Sequence, residues 1–364
     1  MTANVRFGII GTGAIAGEFA DGLAAAKHAE LVAVASRSAA SAAAFAAAHP
    51  GAGRAVARAY GSYEELLADP AVDAVYVATP HPQHPQWAMA VLDAGKHVLC
   101  EKPIAVNADV ASRIFEAARE RGLVAMEAFA FRFHPQTQKL LELISSGAIG
   151  RLRALDIAFT YDWPEGRAVA RRSAGGGILD VGTYCTSLAA LIVAAAQGGD
   201  TAEATSIVAL ADLHPVERTD VVTFAVARYP DDVLAQLSTG VGLITDDHIR
   251  VYGTAGQLAI TIPCWRGPIR DLASQITLTP NKSAGIEGPY STTEAAEVIF
   301  DIPGGTSIFT LEADGVASVI RGGSTAAAPY AAHSLANLRA LDAWRAAVGV
   351  AYDDDIEAGE PVTA

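Results

Sequence analysis

The feature that most constrains the fold is a glycine turn near the start of the chain, Gly11-Thr12-Gly13-Ala14-Ile15-Ala16. It follows an apolar run over residues 5–10, typical of a buried strand, and it opens a segment with helical periodicity. The first glycine permits a tight strand-to-helix turn, and the second lets a pyrophosphate approach the backbone at the positive end of the helix. In this context the turn predicts a dinucleotide site, with Gly11, Gly13, Ala14 and Ile15 against the cofactor.

Short apolar runs alternate with helix-like segments up to about residue 126. Strands are predicted over residues 5–10, 31–35, 74–78, 97–99 and 123–126, and helices over residues 15–25, 39–48, 63–67, 84–93 and 108–121. Such alternation is typical of parallel β-α-β units. We therefore predict an α/β Rossmann domain, a doubly wound sheet, over residues 1–126.

Beyond residue 126 the pattern changes to segments whose side chains can alternate across a sheet. After a predicted helix over residues 135–145, strands are predicted over residues 152–160, 206–210, 221–229, 234–238, 249–252, 257–262, 275–278, 297–300 and 307–311. Gly253-Thr254-Ala255-Gly256 supplies a hairpin turn. These segments predict an α+β domain over residues 127–350, with a large, mostly antiparallel open sheet.

Two features near the end of the chain bear on packing. A helix over about residues 334–348 carries one apolar stripe that can pack back on the first domain, and residues 351–364 are expected to form a mobile tail. One face of the open sheet would expose apolar surface unless a partner covered it. This predicts a homodimer or homotetramer.

The charge and composition exclude several classes of partner. A net charge of -14 with no large Lys/Arg cluster argues against nucleic acid, because phosphate binding needs a basic patch. No export signal is visible in the first residues, and the apolar runs fall short of the ~20 residues of a membrane helix. Cys100, Cys185 and Cys264 lie far apart, which predicts reduced thiols. We expect a soluble, cytoplasmic protein with no membrane partner.

The residues after the second predicted strand bear on cofactor choice. An NAD site usually places an acid here against the ribose hydroxyls, whereas this chain has Ser36-Arg37-Ser38. An arginine and two hydroxyls can instead hold a 2'-phosphate. The sequence therefore favours NADP over NAD, although Arg37 is also consistent with a solvated residue at a helix start.

Thr79, Pro80, His81 and His84 follow a strand at the edge where open α/β sheets bind ligands, so they should border the cofactor. The two histidines raise the question of a metal. No matching ligand motif occurs elsewhere, and prolines interrupt the segment, so no metal site is predicted.

Two further motifs can supply chemistry. Glu101-Lys102-Pro103 ends the next strand at the same edge, where Lys102 can hydrogen-bond a substrate oxygen or can be a surface ion-pair lysine. A glycine run, Gly175-Gly176-Gly177, enters a helix on which Asp180 and Tyr184 share one face. The alternative is a capping aspartate and a buried tyrosine.

Together, the Gly11 turn, Glu101-Lys102-Pro103 and the segment 175–184 resemble the family of glucose-fructose oxidoreductase, inositol dehydrogenase and MocA. The resemblance spans almost the whole chain and implies a Rossmann domain followed by an open-sheet domain. Residues 127–135 look like the dihydrodiol and aldose dehydrogenase branch. Tyr184 fits that branch, because inositol dehydrogenases carry histidine there. Ala130 departs from it, since dihydrodiol dehydrogenases have tryptophan at that position.

The resemblance implies hydride transfer between the nicotinamide and a carbinol or carbonyl carbon of a sugar or related polyol. Tyr184 would move the hydroxyl proton, Lys102 would lower the tyrosine pKa, and Asp180 would orient the lysine or the substrate. Two alternatives remain, a sugar–sugar oxidoreductase that keeps NADP tightly bound and a non-catalytic NADP-sensing regulator on the same fold. Candidate substrate contacts in the second domain are Arg132, Phe133, Tyr161, Trp163 and Arg171.

Overall fold

A computed structural model of the chain describes residues 3–51, 56–163, 166–265, 273–281 and 296–352. Its first part is a six-stranded parallel sheet in the order β3-β2-β1-β4-β5-β6. The strands are β1 Val5–Ile10, β2 Ala29–Ala35, β3 Arg58–Tyr60, β4 Ala74–Val77, β5 His97–Glu101 and β6 Ala125–Ala128. The helices between them are α1 Ala14–Ala25, α2 Ala39–Ala48, α3 Tyr63–Leu67, α4 His84–Asp93 and α5 Ala108–Glu120. This doubly wound order confirms the predicted Rossmann fold.

The second part is an eight-stranded sheet in the order β14-β13-β12-β11-β7-β10-β9-β8. Helix α6 Pro135–Ser145 leads into it, and α7 Thr183–Gln197 packs on it. The strands are β7 Leu152–Thr160, β8 Ser206–Leu213, β9 Asp220–Arg228, β10 Leu234–Gly240, β11 His248–Gly253, β12 Gly256–Ile260, β13 Ser274–Pro280 and β14 Val298–Ile302. Among the described strands of this sheet, only the pair β7 and β10 is parallel, so the predicted mostly antiparallel sheet is confirmed.

Helix α8, Ile308–Val348, differs most from the sequence predictions. The strand predicted over residues 307–311 is wrong: Ser307 caps this helix by accepting a hydrogen bond from the Phe309 amide at 3.3 Å. A five-residue apolar run is compatible with a strand or with a helix. Here the Ser307 cap stabilises the start of a helix. The helix predicted over residues 334–348 is only the last part of α8, which bends further upstream at Gly323, where φ is 74°.

The long α8 connects both sheets. Its first half lies against α1, where Thr310 donates a hydrogen bond to the Gly22 carbonyl at 3.0 Å and Val316 enters the core. Its second half packs on α7 and on β8, and the buried Trp344 indole donates to Thr223 Oγ1 of β9 at 3.0 Å. The site described below therefore has α8 as one wall.

The strand β3 and the end of the chain also differ from the sequence predictions. The edge strand β3 is missing from the sequence prediction, because three residues with little burial leave no periodic signal. Of the predicted tail, residues 353–364 lie outside the described residues, whereas Tyr352 is buried and its hydroxyl donates to the Gly175 carbonyl at 2.6 Å. The predicted boundary near residue 126 stays a prediction.

One helical stretch among the described residues, Ile178–Gln197, is long and apolar enough to cross a membrane, with a mean hydropathy of 1.7. In this fold, 83% of the most apolar 18-residue window of that stretch is buried inside the protein. A helix that is apolar on all sides is typical of a protein core, and this one packs against the second sheet.

Candidate functional site

A cavity of about 810 Å³ opens at the carboxyl-terminal edge of the first sheet. Ligands of open α/β sheets bind at this edge, near the point where the strand order reverses between β1 and β4. The wall facing the sheet comes from α7, α8 and the segments around residues 130 and 265. The lining includes Gly11, Gly13, Ala14, Ile15, Ser36, Arg37, Thr79, Pro80, His81, His84, Glu101, Lys102 and Tyr184.

The glycine turn is shaped for a close approach by an anion. Gly11 has φ +100°, and a Cβ there would lie 2.6 Å from the Ala78 carbonyl oxygen, so the turn excludes a side chain. A Cβ on Gly13 would meet nothing within 4 Å. Gly13 also caps α1 without a side-chain hydrogen bond, which leaves the amides of the first turn available. These features fit a pyrophosphate at the helix start.

The end of β2 forms one end of the cavity. Ser36 and the exposed Arg37 line it, and Tyr63 stands beside them. The Ser36 hydroxyl lies 3.4 Å from the hydroxyl of Thr12. Ser38 does not line the cavity; its hydroxyl accepts from the Ser41 amide at 3.4 Å and caps α2.

His84 ties two strand ends together. Its Nδ1 lies 2.7 Å from the Pro103 carbonyl oxygen and its Nε2 lies 2.8 Å from that of Thr79. Burial lowers the pKa of this histidine. Both ring nitrogens therefore face backbone oxygens, and the residue fixes the segments after β4 and β5 at one spacing.

The structure brings the three predicted catalytic residues together. The Lys102 ammonium donates to the Asp180 backbone carbonyl at 2.7 Å and to Asp180 Oδ1 at 2.9 Å. It also lies 5.1 Å from the centre of the Tyr184 ring, within the range of a cation–π contact. Asp180 Oδ2 accepts a hydrogen bond from the Tyr161 hydroxyl. A lysine from the first sheet thus meets an acid and a tyrosine from the second part of the chain.

Burial and charge shift the pKa values of these groups in different directions. Burial alone would lower the pKa of Lys102, but Asp180 holds it above its ordinary value. Burial opposes ionisation of Asp180, yet Lys102 lowers the pKa of Asp180 to about 2. Burial raises the pKa of Tyr184 to about 12, and the contribution from Lys102 lowers it only in part. The Lys102 cation lowers the pKa of Tyr184, as the sequence predicted, but the increase caused by burial is larger.

The glycine run is held rigidly rather than left free. Gly176 has φ +120°, and a Cβ there would collide with the Asp220 carboxyl. Asp220 accepts from the Ile178 amide at 2.7 Å, and Thr239 donates to the Gly177 carbonyl at 2.9 Å. The following turn, Ile178–Gly182, is π-helical and runs into α7. This wider turn places Asp180 against Lys102 while Tyr184 reaches the cavity.

An aromatic wall, which we define as Phe131, Phe159 and Trp265, surrounds the Tyr184 ring. The three ring centres lie 5.9 Å, 5.4 Å and 5.9 Å from that of Tyr184, and Phe159 and Trp265 stack at 5.8 Å. Sequence reasoning missed this wall. Isolated aromatic residues on separate segments carry no pattern, so no signal distinguished them from core residues.

The structure does not place the five predicted substrate residues in the lining of the cavity. Arg132 lies 4.4 Å from the Tyr330 ring and Phe133 stacks on the same ring, so both turn towards α8. Trp163 is 69% exposed, and the Arg171 amide donates to Glu217. Tyr161 reaches the site only through Asp180.

Comparison with known proteins identifies the family of both parts of the chain. Residues 5–129 match the model of an oxidoreductase family with an NAD-binding Rossmann fold, GFO_IDH_MocA, and residues 137–259 match the GFO/IDH/MocA C-terminal domain. The chain is 36% identical over 264 residues to human trans-1,2-dihydrobenzene-1,2-diol dehydrogenase, covering 72% of this chain and 75% of the relative. It is also 36% identical over 262 residues to an uncharacterized oxidoreductase of Rhizobium meliloti, covering 71% and 75%.

Solved structures show the same architecture. A 3-ketoreductase from Actinomadura kijaniata, in complex with NADP and TDP-benzene, superposes with a TM-score of 0.79 at 27% identity, covering 95% of this chain and 98% of that one. An aldose–aldose oxidoreductase from Caulobacter crescentus, complexed with glycerol, superposes with a TM-score of 0.75 at 22% identity, covering 95% and 98%. At that lower identity the likeness concerns the fold alone.

The Lys102–Asp180 ion pair yields a stability prediction. The Lys102→Met variant should lower the free energy of unfolding at neutral pH by about 3 kcal/mol, because it leaves a mostly buried carboxylate without its counter-charge. The matched change Lys139→Met breaks the exposed pair with Glu142 and should cost less than about 1 kcal/mol. Chemical denaturation of both variants measures the difference.

The pH dependence of that difference has a definite sign. The pKa of Asp180 is lowered in the folded state to about 2, so the stabilisation is complete above about pH 4 and is lost as pH falls towards 2. The gap between wild type and Lys102→Met should therefore narrow over this interval. A gap that stayed constant would contradict an ion-pair origin.

Proposed function

Because the chain belongs to the Gfo/Idh/MocA family of oxidoreductases, we propose that it transfers a hydride between NADP(H) and a carbinol or carbonyl carbon of a sugar or related polyol. The observation that carries the proposal is one continuous cavity. At one place it holds an anion-binding glycine turn, and at another it holds Tyr184 beside the Lys102 ammonium. A nicotinamide dinucleotide with its pyrophosphate at the glycine turn would lie along this cavity, with its nicotinamide on the side of Lys102 and Tyr184.

In the proposed reaction, Tyr184, Lys102 and Asp180 have separate roles. A bound nicotinamide supplies or accepts the hydride. Tyr184 is protonated at neutral pH, since its pKa is about 12, so it can give a proton to a carbonyl oxygen during reduction. During oxidation it takes the hydroxyl proton, and the Lys102 cation stabilises the phenolate that precedes this step. Asp180 and Tyr161 hold Lys102 in place.

The preference for NADP rests on the end of β2. The described residues after this strand present Ser36 and Arg37 to the cavity, with no carboxylate at the position where NAD sites carry one. A guanidinium and a hydroxyl suit a 2'-phosphate. The ketoreductase of Actinomadura kijaniata, which was solved with NADP, supports the same choice.

A second candidate substrate class is an aromatic trans-diol. The aromatic wall around Tyr184 and the 36% identity to dihydrodiol dehydrogenases favour it. The same wall also suits a sugar, because the C–H face of a sugar ring packs on aromatic rings. In either case the reacting group is a secondary alcohol or its ketone.

A spectrophotometric screen tests the substrate class and the cofactor together. Sugars, polyols and an aromatic trans-diol are offered with NADP+ and NAD+ in parallel, and the matching ketones with the reduced cofactors. We expect turnover of a sugar or polyol with NADP+. Purified protein whose nicotinamide absorbance survives dialysis would instead support a sugar–sugar oxidoreductase, and cofactor binding without any turnover would support a regulator.

The Arg37→Ala variant should weaken NADP+ binding about tenfold, the cost of one lost charge-assisted contact, and should leave NAD+ binding unchanged. The control Arg119→Ala removes a surface arginine of α5 that pairs with Glu116. It should change neither affinity. Calorimetric titration with both cofactors measures the effect, and an equal loss for NAD+ would contradict a 2'-phosphate contact.

The Tyr184→Phe variant should lower turnover by about 10²–10⁴-fold while keeping NADP+ affinity, because only the proton-transfer step is lost. Tyr229→Phe is the matched control, since the Tyr229 hydroxyl is buried outside the cavity with no partner among the described residues. Near-normal turnover of Tyr184→Phe would overturn the catalytic assignment.

We also propose that the protein is a cytoplasmic homodimer or homotetramer. The outer face of β8 and β9 exposes Val208, Leu210, Phe224 and Val226, and the register pairs Leu210 with Phe224 and Val208 with Val226. These four side chains form one apolar surface, of the kind that a second copy covers.

The Leu210→Glu variant should shift the protein towards the monomer, because it places a charge in the centre of that surface. Light scattering measures the mass. Val56→Glu, which alters an exposed valine near the first sheet, should leave the mass unchanged. A wild-type protein that is monomeric would remove the proposal.

A further inference from the structure

Glu312 is a buried carboxyl in the cavity wall to which the proposed reaction assigns no role. The residue is 1% exposed and lines the cavity, and neither of its carboxyl oxygens has a hydrogen-bond partner among the described residues. Buried polar groups are nearly always paired, and an unpaired one is costly. A side chain of this kind in a cavity wall points to a group that binds there.

The direction of Glu312 is fixed by the packing of α8. The Thr310 hydroxyl, bonded to the Gly22 carbonyl, holds the first turns of α8 against α1. Ile308 and Glu312 are one helical turn apart, and both line the cavity. Glu312 therefore faces the binding space because of backbone packing, not through a flexible arrangement.

Glu312 lies at the end of the cavity that holds the catalytic residues. It interacts electrostatically with Glu101, which ends β5 immediately before Lys102, and with Tyr184. Arg37 follows β2, which lies three strands away from β5 in the sheet. A dinucleotide with its pyrophosphate at Gly13 and its adenosine towards Arg37 would place its nicotinamide near Glu312.

The surroundings favour the neutral form of this carboxyl. Burial raises the pKa of Glu312 well above its ordinary range, and the nearby Glu101 adds to the shift. Glu101 is itself buried and accepts a hydrogen bond from the Tyr76 hydroxyl. A neutral carboxyl offers one O–H donor and one carbonyl acceptor side by side. A primary carboxamide offers the complementary acceptor and donor.

We propose that Glu312 holds the carboxamide of the nicotinamide ring through a pair of hydrogen bonds. The pair prevents rotation of the ring and keeps one face turned to the substrate side of the cavity. The inference rests on the proposed function, because it requires a nicotinamide cofactor in this cavity, but it holds for NADP and NAD alike.

The test compares NADP+ with its 3-acetylpyridine analogue, in which a methyl group replaces the amide nitrogen. By calorimetric titration without substrate, the wild-type protein should bind the analogue about tenfold more weakly, because one hydrogen bond to a buried group is lost. The Glu312→Gln variant keeps a donor and an acceptor, so it should retain this ratio. The Glu312→Leu variant has neither and should bind the two compounds with nearly equal affinity.

Binding of 2',5'-ADP, which lacks the nicotinamide, should be the same in all three proteins and confirms that each is folded. Glu312→Met is a second apolar replacement should the leucine variant not fold. The pair NAD+ and its acetylpyridine analogue is measured in parallel. Equal affinities in the wild-type protein, or an unchanged ratio in Glu312→Leu, would overturn the inference alone. Failure of both natural dinucleotides to bind would overturn the proposed function with it.

Discussion

The ion pair between Lys102 and Asp180 is the interaction on which the site depends. It joins the end of β5 to the turn that starts α7, and its charges are largely out of water. Because either charge alone would be costly to bury, the two segments must meet in one geometry. Asp220, Thr239 and the positive φ of Gly176 shape the turn so that this meeting occurs.

The buried carboxyls show how strongly a single partner decides charge. Burial raises the pKa of Glu127 to about 7 and that of Asp220 to about 7, and the pKa of Glu312 rises further. Asp180 is buried as well, yet its pKa falls, because it faces the Lys102 ammonium. The same kind of side chain is thus held as an anion beside Tyr184, whereas burial shifts it towards the neutral form at the other three positions.

The sequence predicted the first sheet and the residues at its carboxyl edge, since local periodicity and glycine turns encode both. Motifs also predicted that Lys102 and Tyr184 lie at one site, and the structure places both in the cavity lining. The aromatic wall and Glu312 were not found, because they come from segments far apart in the chain and meet only after folding. The contacts of Arg132 and Phe133 with Tyr330 could not be predicted for the same reason, and the substrate role of the two residues stays a prediction.

The aromatic wall is chemically separate from the polar groups that hold Lys102. Phe131 and Phe159 have no polar side-chain atoms, and the Trp265 indole nitrogen has no partner among the described residues. Lys102 is held by Asp180, and Asp180 by Tyr161, without help from the wall. If the proposed function holds, the rings could be exchanged one at a time without disturbing the hydrogen bonds that hold Lys102, so that one scaffold could change its specificity without first losing its activity.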